Sequence, residues 1–193
     1  RPQWLVILLF IVFYKLGDSM AGVMTGYFMV ELGFTNSEIG SVGKIVGIGA
    51  SILGFIVGGW LIDRLGMLWA LWICGGVQML SNLMFVLQAL VGHDMGMLAL
   101  AVGVENLAGG MGTAALVAYL TGLCNLAYTA TQYALLSSVA SIGRTFLAAP
   151  AGRLAEMMDW APFFLVTTLA ALPGLALLLW LTVAHRRGST RLL

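Results

Sequence analysis

The sequence predicts an all-α integral membrane protein with six transmembrane helices. Charged residues make up 9% and hydrophobic residues 61% of its 193 residues, whereas about 25% of the residues in a soluble domain are charged. Such a chain cannot cover its surface with polar groups, so its surroundings must be lipid. Strands are excluded because an open sheet edge is not satisfied in a bilayer, and the alternation typical of a barrel is absent.

Six apolar runs are long enough to cross the hydrocarbon core, which takes about 20 residues per helix. Polar residues predict three helix starts: Thr35 and Glu38 form a capping box for the second helix, Thr129 and Gln132 form one for the fifth, and Asp159 caps the sixth. The predicted spans are about 4–30, 38–62, 67–91, 96–121, 130–155 and 160–184.

Small residues recur at a spacing of four, which permits close approach between helices in a membrane. We expect these positions to be packing sites. They are Gly22/Gly26, Gly43/Gly47, Gly54/Gly58 and the cluster Gly109, Gly110 and Gly112.

Basic residues in the short connections predict that both termini are cytoplasmic. The face that carries the termini has Arg1, Arg64 and the arginines of the C-terminal tail, whereas the opposite face has Arg153. Trp4, Trp60, Trp69 and Trp180 fall on the basic side, as in an interfacial aromatic belt.

Several classes of function are excluded by composition. The net charge of +1 argues against a nucleic-acid partner. Cys74 and Cys124 are far apart and lie in or beside apolar runs, so neither a disulfide framework nor a metal site is expected, and we expect no cofactor. The chain begins at Arg1 without an initiator Met or signal peptide, and we expect it to be a piece of a longer polypeptide.

Charges inside the spans follow a period of three helices. The first and fourth helices carry Lys15, Asp18 and Glu105, the second and fifth carry Lys44 and Arg144, and the third and sixth carry none in their interiors. This period predicts a 3+3 inverted repeat, which is common in secondary transporters.

Two interpretations of these charges compete. At 1.5 Å per residue, all five lie near the midplane or in the outer half of the bilayer. They either neutralise each other, Lys15 with Asp18 and Glu105 with Arg144, or line a water-filled cavity that binds a polar solute while a carboxylate takes up a proton. The cavity is favoured because three bases and two acids exceed simple pairing, and intramembrane charges are usually functional. Lys44 is the weakest member, because it can snorkel to the outer interface.

The turn between the second and third helices contains Gly59, Asp63, Arg64 and Gly66 in a G-x-x-x-D-R-x-G pattern. A carboxylate and an arginine beside two helix ends can latch them through charge-assisted hydrogen bonds. The alternative is a tight polar turn that Gly66 ends.

This turn resembles the signature loop of the major facilitator superfamily, with Met67 and Leu68 where basic residues usually follow. Residues 14–18, 105–114 and 130–138 look like stretches of the bacterial anhydromuropeptide permeases (AmpG type), relatives of the acetyl-CoA transporters. The resemblance covers nearly the whole chain but only the C-terminal half of such a permease. It therefore implies helices seven to twelve of twelve, one half of a major facilitator bundle.

The resemblance implies a proton symporter that imports N-acetylglucosaminyl-anhydro-N-acetylmuramyl peptides across the bacterial inner membrane for cell-wall recycling. It implies that the first and fourth helices line the cavity, that the third and sixth face lipid, and that a missing N-terminal six-helix half forms the other wall. Asp18 or Glu105 is the expected proton site of this half.

The expected substrate-binding residues follow from the chemistry of that substrate. Lys15, Lys44 and Arg144 suit its peptide carboxylates, while Asn106 and Tyr133 suit its sugars through hydrogen bonds or stacking. Tyr133 lies near the cytoplasmic end of its helix, where a packing role competes with this one.

Four alternatives remain open. The solute could be another polar or anionic molecule such as acetyl-CoA, or the chain could be a non-transporting membrane subunit or a half-sized transporter that acts as a homodimer. An intramembrane serine protease is disfavoured, because Ser51 would need a base nearby and His93 and His185 lie at the ends of spans.

Overall fold

The computed structural model describes residues 4–124 and 129–186, with side chains described for 5–124 and 130–184. The described residues form helices joined by short turns, without a strand. Six helices are long and apolar enough to cross a membrane, and they match the predicted spans to within a few residues. They are Leu5–Glu31, Asn36–Leu65, Met67–Val91, Met95–Leu123, Ala130–Met157 and Trp160–Ala184, called the first to sixth helix below.

Most of these helices are interrupted, and the fourth is continuous. The second contains a π-helical turn at Gly43–Gly47, a distortion that often accompanies functional sites. In the fifth and sixth helices, Pro150 and Pro173 lie at or just inside the start of a new segment, where a missing N–H is tolerated. The segments are Trp4–Tyr14 and Leu16–Glu31, Asn36–Val42 and Ile48–Leu65, Met67–Ser81 and Leu83–Val91, Thr129–Ala148 and Ala151–Met157, and Trp160–Ala170 and Leu172–Arg186.

The predicted capping box of the second helix is confirmed. The Thr35 N–H donates to Glu38 Oε2 at 2.8 Å, and the Glu38 N–H donates to Thr35 Oγ1 at 3.3 Å. Asp159 does precede the sixth helix, but its side chain makes no capping hydrogen bond, so that part of the prediction is wrong. The Thr129 side chain lies outside the described residues. Asp94, which we had not predicted, caps the fourth helix by accepting from the Met97 N–H at 2.7 Å.

Helix packing follows the predicted threefold period. The first helix packs mainly on the fifth and sixth, and the fourth packs mainly on the second and third. The packing pattern stays the same when the first helix is exchanged with the fourth, the second with the fifth, and the third with the sixth. This equivalence is expected of a 3+3 repeat.

Glycines bring the second and fourth helices together, in the most extensive contact of the described chain. A Cβ at Gly58 would lie 2.9 Å from the carbonyl oxygen of Met111, and one at Gly54 or Gly110 would overlap a backbone oxygen of the opposite helix. By contrast, Gly22 and Gly26 have open space at the Cβ position. The small-residue pattern therefore marks close packing at Gly54/Gly58 and not at Gly22/Gly26.

Two apolar clusters flank the charged stretches of the first and fourth helices. One contains Phe10, Tyr14 and Tyr119, with the rings of Phe10 and Tyr119 5.4 Å apart. The other contains Phe28 and Phe164, whose ring centroids are 4.9 Å apart. Each cluster ties several helices together at one end of the bundle, and Lys15, Glu105 and Arg144 lie between the two clusters along their helices.

Coverage differs between helices in an unexpected way. In the most apolar stretch of each helix, 22% and 17% of the residues are buried in the second and fifth helices, against 44% and 39% in the third and sixth helices. The third and sixth helices, expected to face lipid, are thus covered by the rest of the described chain more than the second and fifth helices are. Trp60, Trp69 and Trp180 are exposed at helix ends, and the side chain of Trp4 lies outside the description.

Candidate functional site

Most of the charges inside the spans meet in one cleft of about 390 Å³, where their side chains are half-buried. The first and fourth helices supply most of its wall, the second contributes Ser51 and Phe55, and the fifth contributes one side chain. The predicted site residues that line it are Lys15, Asp18, Glu105, Asn106 and Arg144.

Lys15 lies at the break in the first helix, with φ −111° and ψ 13°. Its Nζ donates to Thr113 Oγ1 at 2.6 Å and to the carbonyl oxygen of Gly109 at 3.3 Å. Both acceptors belong to the fourth helix. The ammonium therefore links the two helices that form most of the wall, while Asp18 and Glu105 lie within electrostatic range of it.

Asp18 lies one turn beyond Lys15 on the same helix and is half-buried. Its Oδ2 accepts a hydrogen bond from Nε2 of Gln78 on the third helix. The simple pairing of Lys15 with Asp18 therefore does not describe the site, since each group has its own hydrogen-bond partners.

Glu105 and Asn106 form a small network with the second helix. Asn106 Nδ2 donates to Glu105 Oε2 at 3.1 Å and to the carbonyl oxygen of Val102 at 2.8 Å. Ser51 Oγ donates to Asn106 Oδ1 at 3.1 Å. Asn106 thus holds the Glu105 carboxylate in place and connects it to the second helix, just below the π-helical turn that ends at Gly47.

Lys44 and Tyr133 are not among the residues that line the cleft. Lys44 lies in the π-helical turn and is exposed. Tyr133 is partly buried and packs against the cluster that contains Phe10. The geometry favours snorkelling to the interface for Lys44 and a packing role for Tyr133. A role of either residue in substrate binding stays a prediction.

The turn between the second and third helices is tight. Gly66 ends the second helix at φ 83°, in the region that favours glycine. Asp63 and Arg64 are exposed, and the Arg64 guanidinium carbon lies 5.8 Å from the centroid of the Trp60 ring. Gly59 has open space at its Cβ position. These contacts describe a polar turn with a cation–π contact, and the latch stays a prediction.

Sequence analysis missed the buried amides of the third helix. Gln78, Asn82 and Gln88 are each at most 2% exposed. The signal that could have found them is the presence of three amide side chains within one apolar run. Burial of a polar group without a partner is costly, so such side chains indicate polar contacts inside the bundle. These amides carry no formal charge, so the pattern of charges along the spans did not reveal them.

The fold and the cleft define a membrane-embedded helical bundle whose two central helices present charges to a shared cavity. Residues 7–192 match the model of the Major Facilitator Superfamily, and the chain belongs to that family.

Among curated relatives, the chain is 44% identical over 177 residues to the anhydromuropeptide permease of Escherichia coli K12, covering 91% of this chain and 36% of that protein. It is 41% identical over 181 residues to the putative transporter AmpG 4 of Rickettsia conorii, covering 94% of this chain and 44% of the relative. The chain therefore spans less than half the length of these relatives. With its six apolar helices, it is a multi-pass inner-membrane protein.

Proposed function

We propose that this chain is the C-terminal half of a proton-coupled transporter that imports anhydromuropeptides across the bacterial inner membrane. The observation that carries the proposal is the cleft itself, where two basic and two acidic side chains from three helices converge. Relatives named as anhydromuropeptide permease or putative AmpG transporter support the choice of solute.

The two basic residues of the cleft differ in how free they are to bind a substrate. Lys15 is already bonded to Thr113 and Gly109 of the fourth helix. Arg144 is half-buried at the wall of the cleft, and its planar guanidinium suits a bidentate contact with a carboxylate. Arg144 is therefore the proposed ligand for a peptide carboxylate, and Lys15 the residue that holds the first helix against the fourth.

The two carboxylates, Asp18 and Glu105, are the proposed proton acceptors in this half. Both line the cleft, and both lie within electrostatic range of Lys15. A carboxylate that is desolvated in one conformation and hydrated in another changes its proton affinity between the two. Such a change would link proton uptake to opening of the cleft toward either side.

A second six-helix half is proposed to cover the open side of the cleft. The low coverage of the second and fifth helices supports this, with Ile45 76% and Phe146 76% exposed in this chain. Family membership makes a transporter the expected class rather than an intramembrane enzyme. By the distribution of basic residues, both termini are proposed to be cytoplasmic.

The test is uptake of labelled anhydromuropeptide by the full-length protein in proteoliposomes, comparing Arg144→Gln with Arg153→Gln. Both arginines lie on the fifth helix, but Arg153 is exposed and outside the charged cleft. We expect Arg144→Gln to weaken apparent substrate affinity by at least tenfold, and Arg153→Gln to leave it within about twofold of wild type, since a charge-assisted hydrogen bond contributes roughly 1.5–3 kcal/mol. Equal effects of the two changes would contradict the assignment of Arg144, and absence of uptake by folded wild-type protein would contradict the choice of solute.

A further inference from the structure

The Gln78 side chain reaches from the third helix into the contact between the first and fourth helices. It is 2% exposed. Its Nε2 donates to Asp18 Oδ2 of the first helix, and its Oε1 lies against Gly112 of the fourth helix. Asp18 lines the cleft, whereas Gln78 does not. The Asp18 carboxylate is therefore open to the cleft on one side and held by the Gln78 carboxamide on the other.

Gly112 provides the space that this carboxamide occupies. A Cβ at position 112 would overlap Gln78 Oε1, and it would lie 2.8 Å from Cδ and 3.3 Å from Nε2 of the same side chain. The hydrogen that glycine carries in place of a Cβ therefore points at the carboxamide oxygen. Contacts of this Cα–H···O type recur between packed helices.

The surroundings give the carboxamide one favoured orientation. An ionised carboxylate only accepts hydrogen bonds, so the Gln78 N–H faces Asp18 and the oxygen faces Gly112. The reverse orientation would bring two acceptor oxygens together at Asp18. It would also turn the Nε2 donors toward the Cα–H of Gly112, which is not an acceptor.

This arrangement does not suit the two protonation states of Asp18 equally. The ionised carboxylate accepts the Gln78 N–H in a charge-assisted hydrogen bond, which is stronger than a bond between neutral groups. A protonated carboxyl could donate its O–H to Gln78 only if the carboxamide reversed and directed Nε2 at Gly112. A hydrogen bond that is made to the charged form favours that form.

We propose that Gln78 is a positioning residue that stabilises the ionised form of Asp18 and opposes its protonation from the cleft. The inference rests on the proposed function, in which Asp18 takes up a proton. The third helix carries no charge within its span. It tunes the proton site through a neutral side chain that no substrate in the cleft needs to touch.

Ionisable groups on the neighbouring helices also act on Asp18. The groups around it are Lys15 and Tyr14 on the first helix, Cys74 beside Tyr14 on the third, Glu105 on the fourth and Arg144 on the fifth. Lys44 of the second helix is exposed outside the cleft, and the sixth helix Trp160–Ala184 contains no ionisable side chain. Substitutions at position 78 leave all of these groups in place, so a changed Asp18 titration reports the carboxamide.

Infrared titration of the full-length protein tests the proposal. The protonated carboxyl band of Asp18, identified by its loss in Asp18→Asn, measures proton binding directly. Gln78→Met keeps a side chain of similar length and removes both N–H donors. We expect Asp18 to bind a proton about tenfold more tightly in this variant, which raises its titration midpoint by about one pH unit. A purely structural role of Gln78 would change stability and leave the midpoint unmoved.

Gly112→Ala tests the same contact from the fourth helix. The added Cβ displaces the carboxamide, which is the flexible end of its side chain. We expect the Asp18 midpoint to move in the same direction as in Gln78→Met. The double variant should show no larger shift than Gln78→Met alone, because two changes that remove one interaction are not additive.

Gln88→Met is the matched control. Gln88 is 0% exposed on the third helix, and its Nε2 donates to the carbonyl oxygen of Gly92 at 2.7 Å. It lies ten residues beyond Gln78, about 15 Å along a helix. The same chemical change at this buried position should leave the Asp18 titration within about twofold of wild type.

The outcomes separate this inference from the proposed function. Tighter proton binding in Gln78→Met but not in Gln88→Met supports it, and an unchanged or weaker affinity in Gln78→Met overturns it, as does an equal shift in the control. If Gln78→Met does not fold, Gly112→Ala decides by the same criterion, and an experimental map of the wild type with the carboxamide out of hydrogen-bond distance of Asp18 overturns the inference regardless of the variants. If the titrations are as expected but Asp18→Asn still accumulates solute in a gradient-dependent manner, the proposed proton role of Asp18 fails while the contact with Gln78 stands.

Discussion

The contact between the second and fourth helices predicts a large difference between two glycine-to-alanine changes. Gly54 packs against Leu107, and a Cβ at position 54 would lie 3.1 Å from Leu107 Cα and overlap its carbonyl oxygen. Gly49 lies on the same helix with nothing within 4 Å of its Cβ position. Both changes gain the same helix propensity, about 1 kcal/mol.

The magnitude follows from what Gly54→Ala must displace. The atoms it meets belong to the backbone of the fourth helix, so rotation of a side chain cannot relieve the overlap, and overpacking typically costs about 1–3 kcal/mol. We expect Gly54→Ala to be less stable than Gly49→Ala by roughly 2–3 kcal/mol, measured as the free energy of unfolding of the full-length protein in mixed micelles. Equal stabilities of the two variants would refute the close approach of these helices.

Three smaller predictions concern the linkers and caps of the bundle. Thr113→Val should lower the free energy of unfolding by about 1–3 kcal/mol, because the Lys15 ammonium loses its 2.6 Å acceptor; unchanged stability would argue against this link. Thr35→Ala should cost about 1 kcal/mol through loss of the capping box and leave uptake unchanged, so a loss of uptake with full stability would contradict a purely structural role. Gly66→Ala should lower the free energy of unfolding by about 1–3 kcal/mol because φ is 83° there. The control is Gly22→Ala, where the Cβ position is open. Equal thermal unfolding midpoints of the two variants would contradict this prediction.

The structural features that depend on composition, or on residues close together in the sequence, were predictable. A bilayer core of fixed thickness sets the length of an apolar helix, so all six helices could be placed to within a few residues. The capping box at Thr35 and Glu38 is likewise local, since both of its hydrogen bonds join residues three apart. The threefold period of charges along the helices predicted that Lys15, Asp18, Lys44, Glu105 and Arg144 line one cavity, and the structure brings all of them except Lys44 together in the cleft.

Features that depend on which helix faces meet were not predictable. Lys15 could not be assigned to Thr113 and Gly109 rather than Asp18, because that choice depends on how the first helix packs on the fourth. The same holds for Gln78, which reaches Asp18 across 60 positions of sequence. Glycine spacing alone also could not separate Gly54, which is in close contact, from Gly22, which is open.

The most direct test of the central claim is gradient-driven uptake of labelled anhydromuropeptide by the full-length protein in proteoliposomes, alongside Asp18→Asn and Glu105→Gln. The account predicts accumulation that collapses when the proton gradient is dissipated and that is lost in at least one of the two variants while both remain folded. Gradient-dependent accumulation that is unchanged in both variants would contradict proton coupling through this cleft and place the coupling carboxylate elsewhere in the protein.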